Sequence, residues 1–150
     1  MKSCWAIQFN GVVILSTQSD ITMATLIEPF IPKHKSDFDS INQLKLCSKE
    51  EIRPIIPELF AWLQDSNWPI SAEVRSILFQ FDMELIPVIR QILNSNDSSW
   101  KYFVLIHFCK QLPNALLEKL TYELNRLSTN PSENDKLEEI DQIAKEILND

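Results

Sequence analysis

The residues best suited to nucleophilic chemistry in this chain are a histidine and a cysteine two positions apart, His107 and Cys109. A cysteine nucleophile needs a base within hydrogen-bonding distance. Residues two apart on a helix point to different faces, so these two side chains do not form a catalytic pair with each other. The other histidine, His34, is distant in sequence. We therefore predict no catalytic residue, and we expect the Cys109 thiol to be buried in the core.

Metal and cofactor chemistry also lacks its usual patterns. Cys4, Cys47 and Cys109 are far apart and form no C-x-x-C pair, which argues against a closed zinc site. Gly11 is the one glycine in the chain, and a single glycine cannot build a phosphate-binding loop or a dinucleotide fingerprint. The sequence therefore predicts no metal and no cofactor, with reduced cysteines in a cytoplasmic protein.

Two short turns, Asp65-Ser66-Asn67 and Ser95-Asn96-Asp97, carry oxygen atoms that a calcium ion could use. They lack the central glycine and the terminal glutamate of an EF-hand loop. We interpret these residues as turn formers and helix caps.

The densest polar segment, Lys33-His34-Lys35-Ser36-Asp37-x-Asp39, admits two interpretations. Basic residues in front of a helix could help to bind an anion at the free backbone amides of the first turn. However, Asp37 and Asp39 already place negative charge there, and Asp is a preferred N-cap residue. We favour the second interpretation, in which Asp37 caps a helix and the basic residues are solvated.

The chain is acidic, with a formal net charge of −7 and a pI of about 4.8. Nucleic acids and anionic membrane surfaces are bound mainly through Lys and Arg, so this charge argues against both as partners. A basic protein would be a compatible partner.

A sequence repeat with a spacing of thirty residues indicates the architecture. The sequence IPELFAWL at residues 56–63 returns as IPVIRQIL at residues 86–93, and each copy is followed by a polar turn and a tryptophan, Trp68 or Trp100. A period near this length is typical of stacked helix pairs. Together with the scarcity of glycine, it predicts an all-α fold. We expect a short HEAT-like or armadillo-type stack of about six to seven helices.

The second helix of each pair would line a binding groove. Arg75 and His107 each lie seven residues, or two helical turns, after the tryptophan of their own copy. Aromatic and arginine side chains are typical of binding hot spots. We predict a binding site of six residues: Trp68, Arg75, Trp100, Lys101, His107 and Lys110. The alternative is that both tryptophans are core residues that pack between the repeats.

Capping and periodicity place the helices. The expected spans are residues 37–46, 48–64, 67–81, 82–93, 98–111, 113–128 and 135–148. Ser48 and Glu51 form a capping box, and Pro57 should kink or divide the helix that follows. In the last helix we expect one buried face, formed by Leu137, Ile140, Ile143, Ala144 and Ile147.

We assign residues 1–25 to an N-terminal extension and residues 26–150 to a single helical domain. The apolar run in residues 1–15 is interrupted by Gln8 and Asn10 and is too short and too polar to span a bilayer. No cleavage motif follows, so it makes a poor signal peptide. We expect the extension to be disordered or the product of a start codon upstream of Met23, and N-terminal sequencing that found a mature start at Met1 would contradict the second possibility.

Several short segments of the chain resemble the sequences of a small bacterial family, domain of unknown function five-thousand-and-seventy-one. They are IPKHKSDFD at 31–39, IIPEL at 55–59, WLQDxNWP at 62–69, LIP at 85–87, SxWKY at 98–102 and DxIA at 141–144. The resemblance covers about residues 30–148 and leaves out the N-terminal extension. It implies an α-helical, HEAT-like fold, and it carries over no activity and no site residue.

These observations lead to one main hypothesis about function. We expect a cytoplasmic, non-enzymatic protein-interaction module, and in a narrower version an immunity or antitoxin protein that masks a basic toxin. The alternative is a small-ligand binder or enzyme with a site around Arg75 and His107. The sequence does not name the partner or the oligomeric state.

Overall fold

A computed structural model of the chain describes residues 5–9, 12–16 and 27–149. It divides the chain into two compact units, residues 1–84 and residues 85–150. The described residues from 27 onward form helices joined by turns, which confirms the all-α fold class for that part of the chain. The prediction of a single domain over residues 26–150 stays a prediction.

A short β-hairpin lies in the segment that we predicted to be a disordered or non-native extension. Strand β1 (Trp5–Phe9) pairs antiparallel with strand β2 (Val12–Ser16), with Trp5 opposite Ser16 and Phe9 opposite Val12. The sequence analysis did not foresee these strands. The rest of residues 1–25 lies outside the described residues, and the start-codon hypothesis stays a prediction.

The first unit contains four short α-helices and two 3-10 helices in its described part. The α-helices are α1 (Phe38–Leu44), α2 (Lys49–Ile52), α3 (Ile56–Ala61) and α4 (Ser71–Leu78), and the 3-10 helices are Glu28–Phe30 and Arg53–Ile55. The apolar residues in and around α4 are all buried: Ile70, Val74, Ile77, Leu78 and Phe81.

Local capping chemistry sets the helix starts of the first unit. The Asp37 side chain accepts hydrogen bonds from the backbone amides of Lys33 and Ser40, at 2.9 and 3.1 Å, and so caps α1 as predicted. These two hydrogen bonds lower the pKa of the Asp37 carboxyl. Ser48 and Glu51 form the predicted capping box of α2. The helix expected over residues 48–64 is divided, because two prolines interrupt it near the 3-10 helix Arg53–Ile55.

The second unit contains six α-helices and two 3-10 helices in its described part. They are α5 (Leu85–Leu93), α6 (Ser98–His107), α7 (Asn114–Leu117), α8 (Thr121–Thr129), α9 (Glu133–Leu137) and α10 (Ile140–Asn149), with 3-10 helices Cys109–Gln111 and Glu118–Leu120. Asp97 caps α6 as predicted, since its side chain accepts a hydrogen bond from the Trp100 amide at 2.9 Å.

The last predicted helix is broken in two, and the break reverses one burial prediction. Glu139 has a φ of 56°, so the helix ends at Leu137 and a new one starts at Ile140. The predicted inward residues of α10 are buried, but Leu137 is 82% exposed. The prediction that Leu137 shares their buried face is therefore wrong, because the left-handed residue resets the helical phase between Leu137 and Ile140.

Candidate functional site

Trp68 lies in the turn before α4, and not on the helix as predicted. It precedes the first residue of α4 by three positions. Pro69 explains the difference, because a proline disfavours the helical conformation in the residue before it. The Trp68 side chain is half-buried and contacts the Trp62 ring edge to face, with 5.7 Å between ring centroids. We call Trp62 and Trp68 the tryptophan pair.

Hydrogen bonds fix the turn that carries the tryptophan pair. The buried Ser71 hydroxyl lies within donating distance of the Trp62 carbonyl, at 3.1 Å, and of the Asp65 carbonyl, at 3.0 Å. The backbone amide of Asn67 donates to the Asp65 side chain at 2.8 Å. Two half-exposed aromatic rings are therefore held in a turn that is bonded to the first residue of α4.

Arg75 occupies the middle of α4 and is half-buried. Its Nη1 atom is buried and has no hydrogen-bond partner among the described residues. A buried guanidinium nitrogen without an acceptor is unfavourable, because it has lost its hydration without replacement. The planar guanidinium of Arg75 suits planar acceptors such as carboxylates, and its hydrogen bonds within the described residues are incomplete.

Trp100 and Lys101 are core residues, which corrects the prediction that they line an exposed groove. Trp100 is 4% exposed and Lys101 is 3% exposed. The Lys101 ammonium contacts Asp135 Oδ1 at 2.7 Å, and the Ser98 hydroxyl donates to the same oxygen at 2.7 Å. We call Ser98, Lys101 and Asp135 the buried ion-pair cluster. It ties α6 to α9, so Lys101 has a structural role in the second unit.

The buried ion-pair cluster shifts the acidity of its carboxylate. Desolvation raises the pKa of Asp135, but hydrogen bonds from Lys101, Ser98 and Ser132 outweigh it and lower that pKa to about 2. Asp135 is also the acidic member of the capping box that Ser132 opens at α9. One carboxylate thus caps a helix and neutralises a buried lysine, which explains why it stays ionised at neutral pH.

His107 and Lys110 are the predicted site residues of the second unit that reach its surface. His107 is the last residue of α6, is half-buried, and stacks on Phe103 with 6.3 Å between ring centroids and 13° between ring planes. Lys110 is exposed and pairs with Glu146 at 2.7 Å. The described structure therefore gives each of them a partner within the second unit.

Cys109 is fully buried, as the sequence predicted. Burial raises the pKa of its thiol to about 12, so the thiol stays protonated at neutral pH. A neutral thiol is a poor nucleophile. Cys109 therefore acts as a small apolar core residue.

Two features of the surface were missed from the sequence. Trp62 is a partner of Trp68, and the signal for it was available, since both rings flank the same predicted turn. The second unit also has an open groove between α7, the start of α8 and the end of α10. No sequence signal could have shown this groove, because its walls come from segments about thirty residues apart.

Among the described residues, no group of three or more His, Cys, Asp or Glu side chains is placed to hold a metal ion. Over the same residues, none of the helices combines the length and the apolar character that crossing a bilayer requires.

Comparison with known proteins gives a family and no activity. None of the curated proteins compared with the chain matches it. The profile of one family, Domain of unknown function (DUF5071), matches residues 30–148, which is most of the chain and agrees with the resemblance seen in the sequence. The chain therefore belongs to the family Domain of unknown function (DUF5071).

Proposed function

We propose that the protein is a non-enzymatic protein-interaction module of the bacterial cytoplasm, built from HEAT-like helix pairs. The first unit would bind the partner through the tryptophan pair, with Arg75 on the helix that follows. One observation carries this proposal: two half-exposed tryptophans, Trp62 and Trp68, pack edge to face in a turn that hydrogen bonds hold in place.

The physical argument rests on the cost of binding. A side chain that is already fixed loses little conformational entropy when a partner covers it, so more of the buried area becomes affinity. Trp and Arg are also the residues most enriched among binding hot spots. Arg75 adds a guanidinium that is incompletely hydrogen-bonded within the protein, and a partner carboxylate or carbonyl could complete it after a small side-chain movement.

The charge of the chain favours a basic partner. The net charge of −7 raises the rate of encounter with a positively charged protein and disfavours acidic ones. This supports the narrower hypothesis of an immunity or antitoxin protein that covers a basic toxin. Neighbouring genes that encode a basic toxin would support that version.

A second candidate function is a small-ligand or enzyme site that includes Arg75. The observation that favours it is Glu58 on α3 of the same unit, since burial raises the pKa of this half-buried carboxyl. Its Oε2 atom has no hydrogen-bond partner among the described residues. Perturbed carboxyls of this kind are common in functional sites. The other residue of this alternative, His107, lies in the second unit, where its ring stacks on Phe103.

The test uses the full chain as bait in a lysate of its native host, followed by purification of the captured protein. Isothermal titration calorimetry then measures its affinity for wild type, Trp68→Ala and Arg75→Glu. We expect each variant to weaken binding by about tenfold or more, as hot-spot residues do.

The matched control is Tyr122→Ala, which removes an aromatic side chain that is 74% exposed in the second unit. It should leave the affinity unchanged. Equal affinities for wild type and Trp68→Ala would contradict the proposed surface. A captured small molecule, with no protein, would favour the second candidate function.

A further inference from the structure

The open groove of the second unit has a volume of about 230 Å³, and none of the residues of the proposed binding site lines it. Its apolar walls come from Leu117, Leu124, Ile147 and Leu148, and Glu118 is the charged residue that lines it. The other lining residues are uncharged and polar. We call this surface the Glu118 groove.

The size of the Glu118 groove limits what can occupy it. Sites for cofactors and drug-sized ligands usually measure about 300–1,000 Å³ and enclose most of the ligand. This groove is smaller and open to solvent. It therefore suits a single large apolar side chain that projects from a partner, since burial of that side chain against four aliphatic residues is favourable.

The charge at the groove indicates what flanks that side chain. Glu118 is exposed and forms no ion pair with another described residue. Lys119 follows it but does not line the groove, and its carbonyl accepts a hydrogen bond from Arg90. The second unit holds seven Lys or Arg and ten Asp or Glu, a net charge of −3. A lysine or arginine beside the apolar side chain would thus meet an unpaired carboxylate in an acidic field.

We infer that the Glu118 groove is a second protein-binding surface, which takes an apolar side chain flanked by lysine or arginine from a basic partner. This inference rests on the proposed interaction function, but it concerns a different unit and different residues from the tryptophan pair.

A second copy of the chain is a poorer occupant. The most exposed apolar side chain of the second unit is Leu137, and Glu138 and Glu139 follow it directly. Placing Leu137 of one copy in the groove of another would bring these carboxylates towards Glu118, and like charges at an interface are unfavourable. The same groove therefore disfavours self-association and favours a basic protein.

The experiment titrates the full-length protein, labelled with ¹⁵N, with the peptide acetyl-Lys-Lys-Phe-Lys-Lys-amide and follows backbone amide shifts by NMR. We expect concentration-dependent shifts at Leu117, Leu124 and Leu148. Glu118→Lys should weaken the peptide affinity by about fivefold, because it replaces an attraction with a repulsion. The matched control is Glu138→Lys, which changes the net charge equally at an exposed position outside the groove. Its peptide affinity should stay near that of wild type.

Two further peptides separate the two parts of the inference. Acetyl-Ser-Ser-Phe-Ser-Ser-amide tests the basic flanks and acetyl-Lys-Lys-Ser-Lys-Lys-amide tests the apolar side chain, and both should bind more weakly than the parent. Equal binding of either one, equal weakening by Glu138→Lys, or absence of shifts in the groove would overturn the inference. Groove shifts that grow with protein concentration alone would instead identify a second copy as the occupant.

The titration needs no native partner, so its failure would leave the tryptophan pair and the proposed function standing. Conversely, a native partner that ignores Trp68→Ala and Arg75→Glu would leave the peptide result unaffected.

Discussion

The turn before α4 in the first unit and the turn before α6 in the second unit start from the same sequence pattern and end differently. Both turns follow a proline-bearing helix, and a tryptophan comes after the polar residues of each turn. Trp68 stands three residues before its helix and is half-buried, whereas Trp100 is the third residue of its helix and lies in the core. The tryptophan is therefore partly exposed in the first unit and a core residue in the second unit.

The reason for this difference is the residue at the helix start. Asp97 accepts a hydrogen bond from the Trp100 amide and starts α6 at Ser98. In the first unit Pro69 excludes Trp68 from the helix, and α4 starts at Ser71 without a side-chain cap. The two copies of the repeat thus share the order of their helices, but aligned residues do not take the same positions on those helices. A binding site cannot be transferred from one copy to the other by alignment alone.

The largest expected effect tests the two tryptophans directly. Trp100→Ala should lower the free energy of unfolding by about 4 kcal/mol, because it leaves a large cavity in the second unit. Trp68→Ala should lower it by about 1–2 kcal/mol, because that ring is only partly removed from water. Urea denaturation followed by circular dichroism measures both. Equal losses would mean that the two tryptophans are equivalent after all.

The ion pairs of the two units should differ less in their contribution to the free energy of unfolding. Lys101→Met should lower the free energy of unfolding by about 3 kcal/mol, because it leaves the Asp135 carboxylate buried without its counter-charge. Lys45→Met breaks an exposed pair with Glu73 in the first unit and should cost less than about 1 kcal/mol. The same denaturation experiment compares them. A loss of under about 1 kcal/mol for Lys101→Met would show that the buried ion-pair cluster contributes little to stability.

The pH dependence of stability gives the smallest of the three effects. Because the folded-state pKa of Asp135 is lowered to about 2, the unfolded chain binds this proton more readily. The contribution is present above the unfolded pKa of about 4 and is lost as the pH falls from about 4 to about 2. It amounts to about 2 kcal/mol.

Asp135→Asn should remove this acid-sensitive part of the unfolding free energy, measured by denaturant titration at a series of pH values. Glu138→Gln is the control, because Glu138 is exposed and forms no ion pair with another described residue. An unchanged acid transition in Asp135→Asn would contradict the assignment.

Features that depend on neighbours in sequence could be predicted, and features that depend on distant contacts could not. The caps at Asp37, Ser48 and Asp97 were predicted correctly, since each involves only the next three or four residues. The all-α class followed from composition and periodicity. Pro69 is also a local signal, but the expected helix start at residue 67 placed Trp68 on the helix, whereas α4 starts at Ser71.

The pairing of Lys101 with Asp135 spans thirty-four residues and has no counterpart in the sequence pattern. Lys101 was therefore assigned to the edge of the groove that Trp100 was expected to line, and its carboxylate partner was missed. The exposure of Leu137 was missed for a different reason. Its apolar spacing fits a continuous helix, and the positive φ of Glu139 breaks that helix.

The buried ion-pair cluster also has a consequence for how the second unit opens. If α9 and α10 detached while α6 stayed folded, Lys101 would remain in an apolar site without its carboxylate, which is a costly intermediate. Helix α10 packs against both α6 and α8, so its release would expose apolar surface on each. The amide protons of residues 98–107 and 133–149 should therefore exchange with solvent through one shared opening, in which α9 and α10 unfold together with α6 of the second unit.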